Sequence, residues 1–178
     1  LGYRVTGRND EYALLLERSP SRHTLLVRPW RPVSYKRAER EEQQRLAACS
    51  SERRGQPAGR VPESKPAVST VHVDEVGRLW VELYAEGVEE NESEGEKAVR
   101  ADACQFFGIA ESECERGARR WHEPAVFEVL GPDGTFFGRL ELPNRRTTFV
   151  GARADRLWVV ETGVLGEQYV VRYRLAKN

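Results

Sequence analysis

The side chains that could do chemistry are few and poorly grouped. Cys49, Cys104 and Cys114 form no Cys-x-x-Cys pair, and His23, His72 and His122 are scattered, so a zinc-type ligand set has little support. Nucleophilic catalysis needs a Ser or Cys beside a base and an oxyanion site. No Gly-x-Ser-x-Gly occurs, and no Ser or Cys has a His at a telling spacing. Glu89, Glu90, Glu92, Glu94 and Glu96 crowd together, but the run lacks the alternating Asp/Asn and central Gly of a calcium loop and reads as solvated charge. Asn91-Glu92-Ser93 fits the glycosylation sequon. Gly131-Pro132-Asp133-Gly134 is turn chemistry rather than a phosphate cradle. The expectation is no cofactor and no metal, and no catalytic constellation is visible within these residues.

What remains suits contact rather than catalysis. Trp30 and Trp121 each border an irregular stretch, and His122 with Arg119 and Arg120 extends the second of these into a polar and aromatic cluster. Arg8, Asn9 and Asp10 lie in a short loop that the architecture derived below brings to the same end. These residues form the candidate partner-binding set. Cys104 and Cys114 are close enough in sequence for a disulfide in an oxidising compartment; free thiols in a reduced one are the alternative.

The elements that position these residues are strands. Residues 3–30 contain YRVTG, EYALLLERSP and RHTLLVRPW; AVSTVHVD, RLWVELYA, AVFEVLG and TFFGRLELP follow between 67 and 143; TTFVGA, RLWVVETG and EQYVVRYRL complete the chain. All are short and rich in Val, Leu and aromatics. Turn residues separate them at Asp74–Gly77, Pro132–Gly134, Ala154-Asp155 and Leu165-Gly166. This pattern is that of an all-β, antiparallel protein. Two stretches interrupt it. Residues 34–52 have helical composition, a thin apolar stripe and Ser34 as a possible N-cap, and 53–66 read as an irregular connector. Residues 86–120 begin with the acidic run and continue into one helix or two short ones around Phe106, Phe107 and Ile109.

The whole chain has 178 residues with 28 basic and 28 acidic side chains. That length suits one domain or part of a larger one. Zero net charge removes the electrostatic reason to expect nucleic acid. No apolar run approaches the roughly 20 residues of a membrane helix. The opening LGYRVTGRND has neither a Met nor the apolar stretch of a signal peptide, and reads as a chain entered in mid-structure.

An internal repeat organises the strands. Val73–Val81 is echoed by Ala152–Val159, with Arg-Leu-Trp-Val opening the second strand of a hairpin in both. The hairpin at 125–143 has the layout of that at 13–30. In order, the unit is four antiparallel strands a, b, c and d, which is a propeller blade. Residues 1–30 supply strands b–d of one blade and 31–66 a helical connector. Residues 67–143 form a complete blade with the insert 86–120, and 147–178 supply strands a–c of the last. The expected fold is thus a partial β-propeller of about two and a half blades with helical and irregular inserts. The competing arrangement is a β-sandwich with coincidentally similar hairpins.

The run PAVSTVHVDEVGRLWVELY, then FEVLGPDGTFFGRLELP and a terminal RLWVVETGVLGEQYVVRYRL, resembles the C-terminal portion of bacterial six-bladed β-propellers of the NHL/TolB-like kind. The resemblance implies a ring completed by further blades in cis, of which this chain is a fragment. It also implies a location in the bacterial cell envelope or outside the cell. In such a blade the a–b and c–d turns share one end of the sheets, and the b–c and d–a connections share the other. Both long inserts should therefore emerge on one face, where binding function tends to gather. The expected function is a non-enzymatic module that binds a protein, peptide or glycan on that face. The alternative is part of a propeller hydrolase or lyase whose active site lies partly in other blades. Three further expectations follow. Trp80 and Trp158 should both be buried between blades. Arg53, Arg54 and Arg60 should approach Glu86–Glu96. Leu14, Leu16, Val159 and Val171, in the outer blades, should be less buried than the middle blade's core.

Overall fold

Period-two alternation and tight turns build the chain into antiparallel sheets. The computed structural model describes residues 4–7, 11–19, 22–116, 118–143, 147–163 and 167–175. The first sheet is β1 (Arg4–Gly7), β2 (Ala13–Ser19) and β3 (Arg22–Val27), in that order. After helix α1 (Arg37–Arg53) come β4 (Val68–Val73) and β5 (Leu79–Leu83). Next follow β6 (Val88–Glu89), the helices α2 (Glu94–Phe106) and α3 (Glu111–Arg116), and β7 (Trp121–His122). β8 (Val126–Leu130) and β9 (Phe136–Glu141) complete the middle sheet, ordered β4-β5-β8-β9. β10 (Thr147–Arg153), β11 (Arg156–Thr162) and β12 (Gln168–Arg174) form the third, and β6 pairs with β7 in a small ribbon. Every pairing among these strands is antiparallel.

Local chemistry sets the turns. Asp74 Oδ1 accepts the backbone N–H groups of Val76 and Arg78 at 3.1 and 2.9 Å, and Gly77 supplies the positive φ of 81° that closes the β4–β5 turn. The β10–β11 turn, the two residues Ala154-Asp155 between the paired Arg153 and Arg156, has no glycine, and Ala154 itself takes a left-handed φ of 52°. Burial alone would raise the Asp74 pKa, but hydrogen bonds from Trp80 Nε1 and from Arg78 outweigh it and hold the carboxyl below its usual range.

The sheets lie in three layers with a core on each side of the middle one. Tyr12, Leu14 and Leu16 of the first sheet meet Leu79, Val81 and Leu130. On the opposite face, Trp80, Phe127 and Val129 meet Leu157 and Val159 of the third sheet, with Phe149 packed against them. The middle sheet therefore buries apolar side chains on both faces, where a two-layer sandwich would bury one. Two expectations are corrected here. Leu14, Leu16 and Val159 are fully buried, because alternation turns them toward the middle sheet, whereas Val171 is half-buried, as expected of an outer strand. The apolar side chains that face away are instead Leu25, Val27 and Val170, exposed by 63, 64 and 74%. Trp158, unlike Trp80, is only half-buried, because it sits on the outward face of its sheet.

The helices occupy the interruptions. α1 begins later than expected, after Lys36, whose backbone N–H donates to Glu39 Oε2 at 3.2 Å; Ser34 is instead bridged to Ser64. The acidic run is not wholly loop: Val88-Glu89 pairs with Trp121-His122, and Ser93 caps α2, accepting from Glu96 N. Cys104 and Cys114 are joined in a disulfide that ties α2 to α3, and Cys49 is a free, half-buried thiol.

Candidate functional site

The centre of the looped end is a buried charge cluster. Lys65, three residues before β4, has a fully buried side chain. Its ammonium reaches Glu39 Oε1 of α1 at 2.5 Å, Glu123 Oε1 at 3.0 Å and the Ala85 carbonyl at 2.7 Å. Its Nζ also stands 5.1 Å from the centre of the Tyr35 ring. Glu123 in turn accepts the Ala85 N–H at 2.8 Å. Burial, and then the nearby Glu123, raise the Tyr35 hydroxyl and the Glu82 carboxyl above their ordinary values. Gly87 runs so close to the Glu39 carboxylate that a Cβ there would collide with it. A single cation thus ties the connector, the insert and the middle sheet together. With its donors spent on these acceptors and no solvent access, Lys65 is suited to holding structure rather than to meeting a substrate.

Above this clamp the two inserts face each other across a cleft of about 560 Å³, lined by Glu41, Glu42, Arg45, Glu89, Arg120 and Trp121. The Glu42 carboxylate accepts the backbone N–H groups of Arg120, at 3.0 Å, and Trp121, at 3.2 Å. Arg45 donates to the Ala118 carbonyl at 2.7 Å. Lys36 spans the same seam, bonding the Gly87 carbonyl at 2.9 Å while its Nζ lies 5.4 Å from the Trp121 ring centre. The indole is therefore held from one side by a cation and fixed at its backbone by a carboxylate, with its remaining surface lining the cleft.

The residues proposed from sequence divide accordingly. Arg120 and Trp121 line this cleft, Arg119 is exposed next to it, and His122 is half-buried with its backbone paired to Val88. Trp30 packs against the core between the first and middle sheets and does not join them. Arg8, Asn9 and Asp10 lie outside the described residues. The side chain of Arg53 lies outside the described residues, Arg54 and Arg60 are exposed, and the acidic insert is paired within itself: Arg100 bonds both oxygens of Glu92 at 3.1 and 3.0 Å and reaches Glu115 at 3.0 Å. Lys36, Glu39, Glu42, Lys65 and Glu123 were not anticipated. Their only sequence signal was a lone Lys in a Ser-Lys-Pro connector and acids on a helix with a thin apolar stripe.

Set against known protein families, curated proteins and solved structures, this chain matches none of them. Its function must be read from its own geometry. Among the described residues no group of three or more His, Cys, Asp or Glu could hold a metal ion, and no helix of the described residues is long and apolar enough to cross a membrane.

A second cleft, of about 620 Å³, lies at the turn end between the edge strands β4 and β10, with His72, Asp74, Phe149 and Trp158 among its walls. The His72 imidazole stacks on Phe149 at 4.2 Å, and burial lowers its pKa. The unfolded chain then binds more protons than the folded one between that lowered value and about 6.5, so stability rises with pH across this window and is lost as pH falls through it. His72→Phe should remove that component. Urea midpoints compared from pH 7.5 to pH 5 should diverge between wild type and variant below about pH 6.5; parallel curves would show that His72 is not responsible.

Proposed function

We propose that this chain is part of a six-bladed β-propeller of the NHL/TolB-like kind, a non-enzymatic module that binds a protein, peptide or glycan at the end of its sheets where α1, α2 and α3 gather. The observation that carries this reading is the rigid mounting of both inserts by the Lys65 cluster, which leaves Trp121 and Arg120 lining a cleft between them. Three antiparallel sheets stacked in the order of the internal repeat support the propeller. A Trp fixed in place brings large contact area at little entropic cost, and the surrounding Arg and Glu side chains suit polar partners. A location in the bacterial envelope or outside the cell agrees with the Cys104–Cys114 bond, since disulfides persist where the surroundings are oxidising.

Peptide and glycan arrays probed with the purified chain test this. An interface Trp typically carries on the order of 2 kcal/mol, so Trp121→Ala should weaken the selected ligand roughly 30-fold. Arg120→Ser should weaken it less, with circular dichroism unchanged for both. Undiminished binding by Trp121→Ala would move the site elsewhere, and turnover of the bound ligand would replace the binding module with the hydrolase or lyase.

A further inference from the structure

The helical insert is held together by little apolar packing. Among the described residues α2 buries no side chain, and Val99, Phe106 and Phe107 stand more than half exposed. The Cys104–Cys114 disulfide and one guanidinium tie α2 to α3. Arg100 gives Nε and Nη2 to Glu92 and shares Nη2 with Glu115. Its Nη1 is left for Cys114, donating to the carbonyl oxygen at 2.9 Å and to Sγ at 3.5 Å. The two sulfurs are therefore not equivalent. Cys114 is 5% exposed and lies against a cation, whereas Cys104 is only half-buried.

A thiolate breaks a disulfide by attacking one sulfur and expelling the other, and the bond breaks faster when the expelled sulfur is stable as a thiolate. Access directs attack to Cys104. The guanidinium beside Cys114 favours that sulfur as the leaving group. The carboxylates of Glu92 and Glu115 oppose a thiolate there, but both are engaged by the same guanidinium. We propose that Cys104–Cys114 is a thiol-exchange site: a dithiol reductant attacks Cys104, Cys114 departs beside Arg100, and the freed helix pair slackens one wall of the Trp121 cleft. In the first step a bond forms between the reductant's sulfur and Cys104 Sγ while the Cys104–Cys114 bond breaks, its electron pair leaving on Cys114. The reductant's second thiol then displaces Cys104 and closes a cyclic disulfide. The reductant has lost two electrons and two protons. Cys104 takes one proton, Cys114 remains a thiolate, and the other proton goes to water. Reduction reaches the cleft because Glu115, next to Cys114, and Ala118, whose carbonyl accepts Arg45, both line it. The cleft's role in binding rests on the function proposed above; the exchange chemistry does not.

The 178-residue chain carrying Cys49→Ser, which removes the remaining thiol, serves for every measurement. Treated briefly with glutathione and then alkylated, it should carry the mixed disulfide on Cys104 and the alkyl group on Cys114, at about ten to one by peptide mass mapping. Arg100→Gln should slow reduction by dithiothreitol roughly fivefold at about pH 7.5. An Arg100 with only a structural role gives the opposite sign, since loosening the helices exposes the bond. Should that variant lose its circular dichroism, the ultraviolet thiolate absorbance of Cys114 in a Cys104→Ser chain decides instead, with a titration midpoint expected below about 8.5. Hydrogen exchange over residues 94–121 should quicken about 10- to 100-fold on reduction, as for releasing a loop of this length, while β5 and β8 keep their protection. A mixed disulfide on Cys114 or spread over both sulfurs, an unchanged or raised rate in Arg100→Gln, a Cys114 midpoint at or above about 8.5, or unchanged exchange over 94–121 would each overturn the proposal. None of these readouts involves a bound ligand, so they can fail while the Trp121 cleft still binds, and hold where it does not.

Discussion

Lys65→Met should lower the stability of this protein by about 3–5 kcal/mol, the range for removing one partner of a buried ion pair. The loss comes less from the contacts than from what stays behind. Glu39 is 2% exposed and sits in the first turn of α1, so without the ammonium its carboxylate keeps, among the described residues, only the Lys36 N–H as a hydrogen-bond donor. The connector and the insert would also lose their shared anchor at Ala85 and Glu123. Combining Lys65→Met with Glu39→Gln should recover much of the loss, since removing both charges deletes the desolvation cost along with the attraction. Urea unfolding of the single and double variants measures this. A single-variant loss below about 1 kcal/mol would mean that Lys65 is not the tie between the inserts and the sheet. Hydrogen exchange should show the weakening first in α1, whose attachment to the middle sheet runs through Glu39.

Trp80→Ala and Trp158→Ala should separate sharply although the two residues share a tetrapeptide. Trp80 has no exposed surface and packs among Phe127, Phe149, Leu157 and Val159, so its truncation opens a large cavity and should cost about 3–5 kcal/mol. It also removes the Nε1 hydrogen bond to Asp74 at 3.1 Å, leaving that carboxylate to Arg78 and the turn backbone. Trp158 is half-exposed on an uncovered face, and its loss should cost the monomer far less. Chemical denaturation at a concentration where the chain is monomeric reads both values. Equal losses would show that Trp158 is covered after all, and that the outward face has been assigned to the wrong side of the third sheet.

Much of the fold was legible because its causes are local. Alternation in TTFVGA, RLWVVETG and EQYVVRYRL marks strands, and Asp74–Gly77 and Pro132–Gly134 mark the turns between them. The Arg-Leu-Trp-Val echo then aligned two hairpins, whose registers match in the structure. Strand order followed within the hairpins, since short connections leave adjacent strands little choice but to pair, whereas β8 lies beside β5 across the long insert, where the repeat places it. The two long inserts were likewise visible as breaks in the alternation, and their meeting at one end is seen in the Glu42, Arg45 and Lys36 contacts.

The candidate site was legible only in part. Arg120 and Trp121 could be singled out because an aromatic and basic cluster stands next to an insert, but nothing in the sequence set Trp30 apart as a core residue. Side-chain alternation told which strand residues share a face, not which face another sheet would cover; hence Leu14 and Leu16 proved buried and Leu25 exposed. By itself the sequence determined strands, turns, repeat and the position of the inserts, all of which depend on neighbours within a few residues. The tertiary structure alone decided that Lys65 would meet Glu39, 26 residues away, and that Trp80 would be covered while Trp158 stayed half-open. Burial and ion pairing arise from whatever packs across the layer, and no residue's local sequence records what its distant neighbour will be.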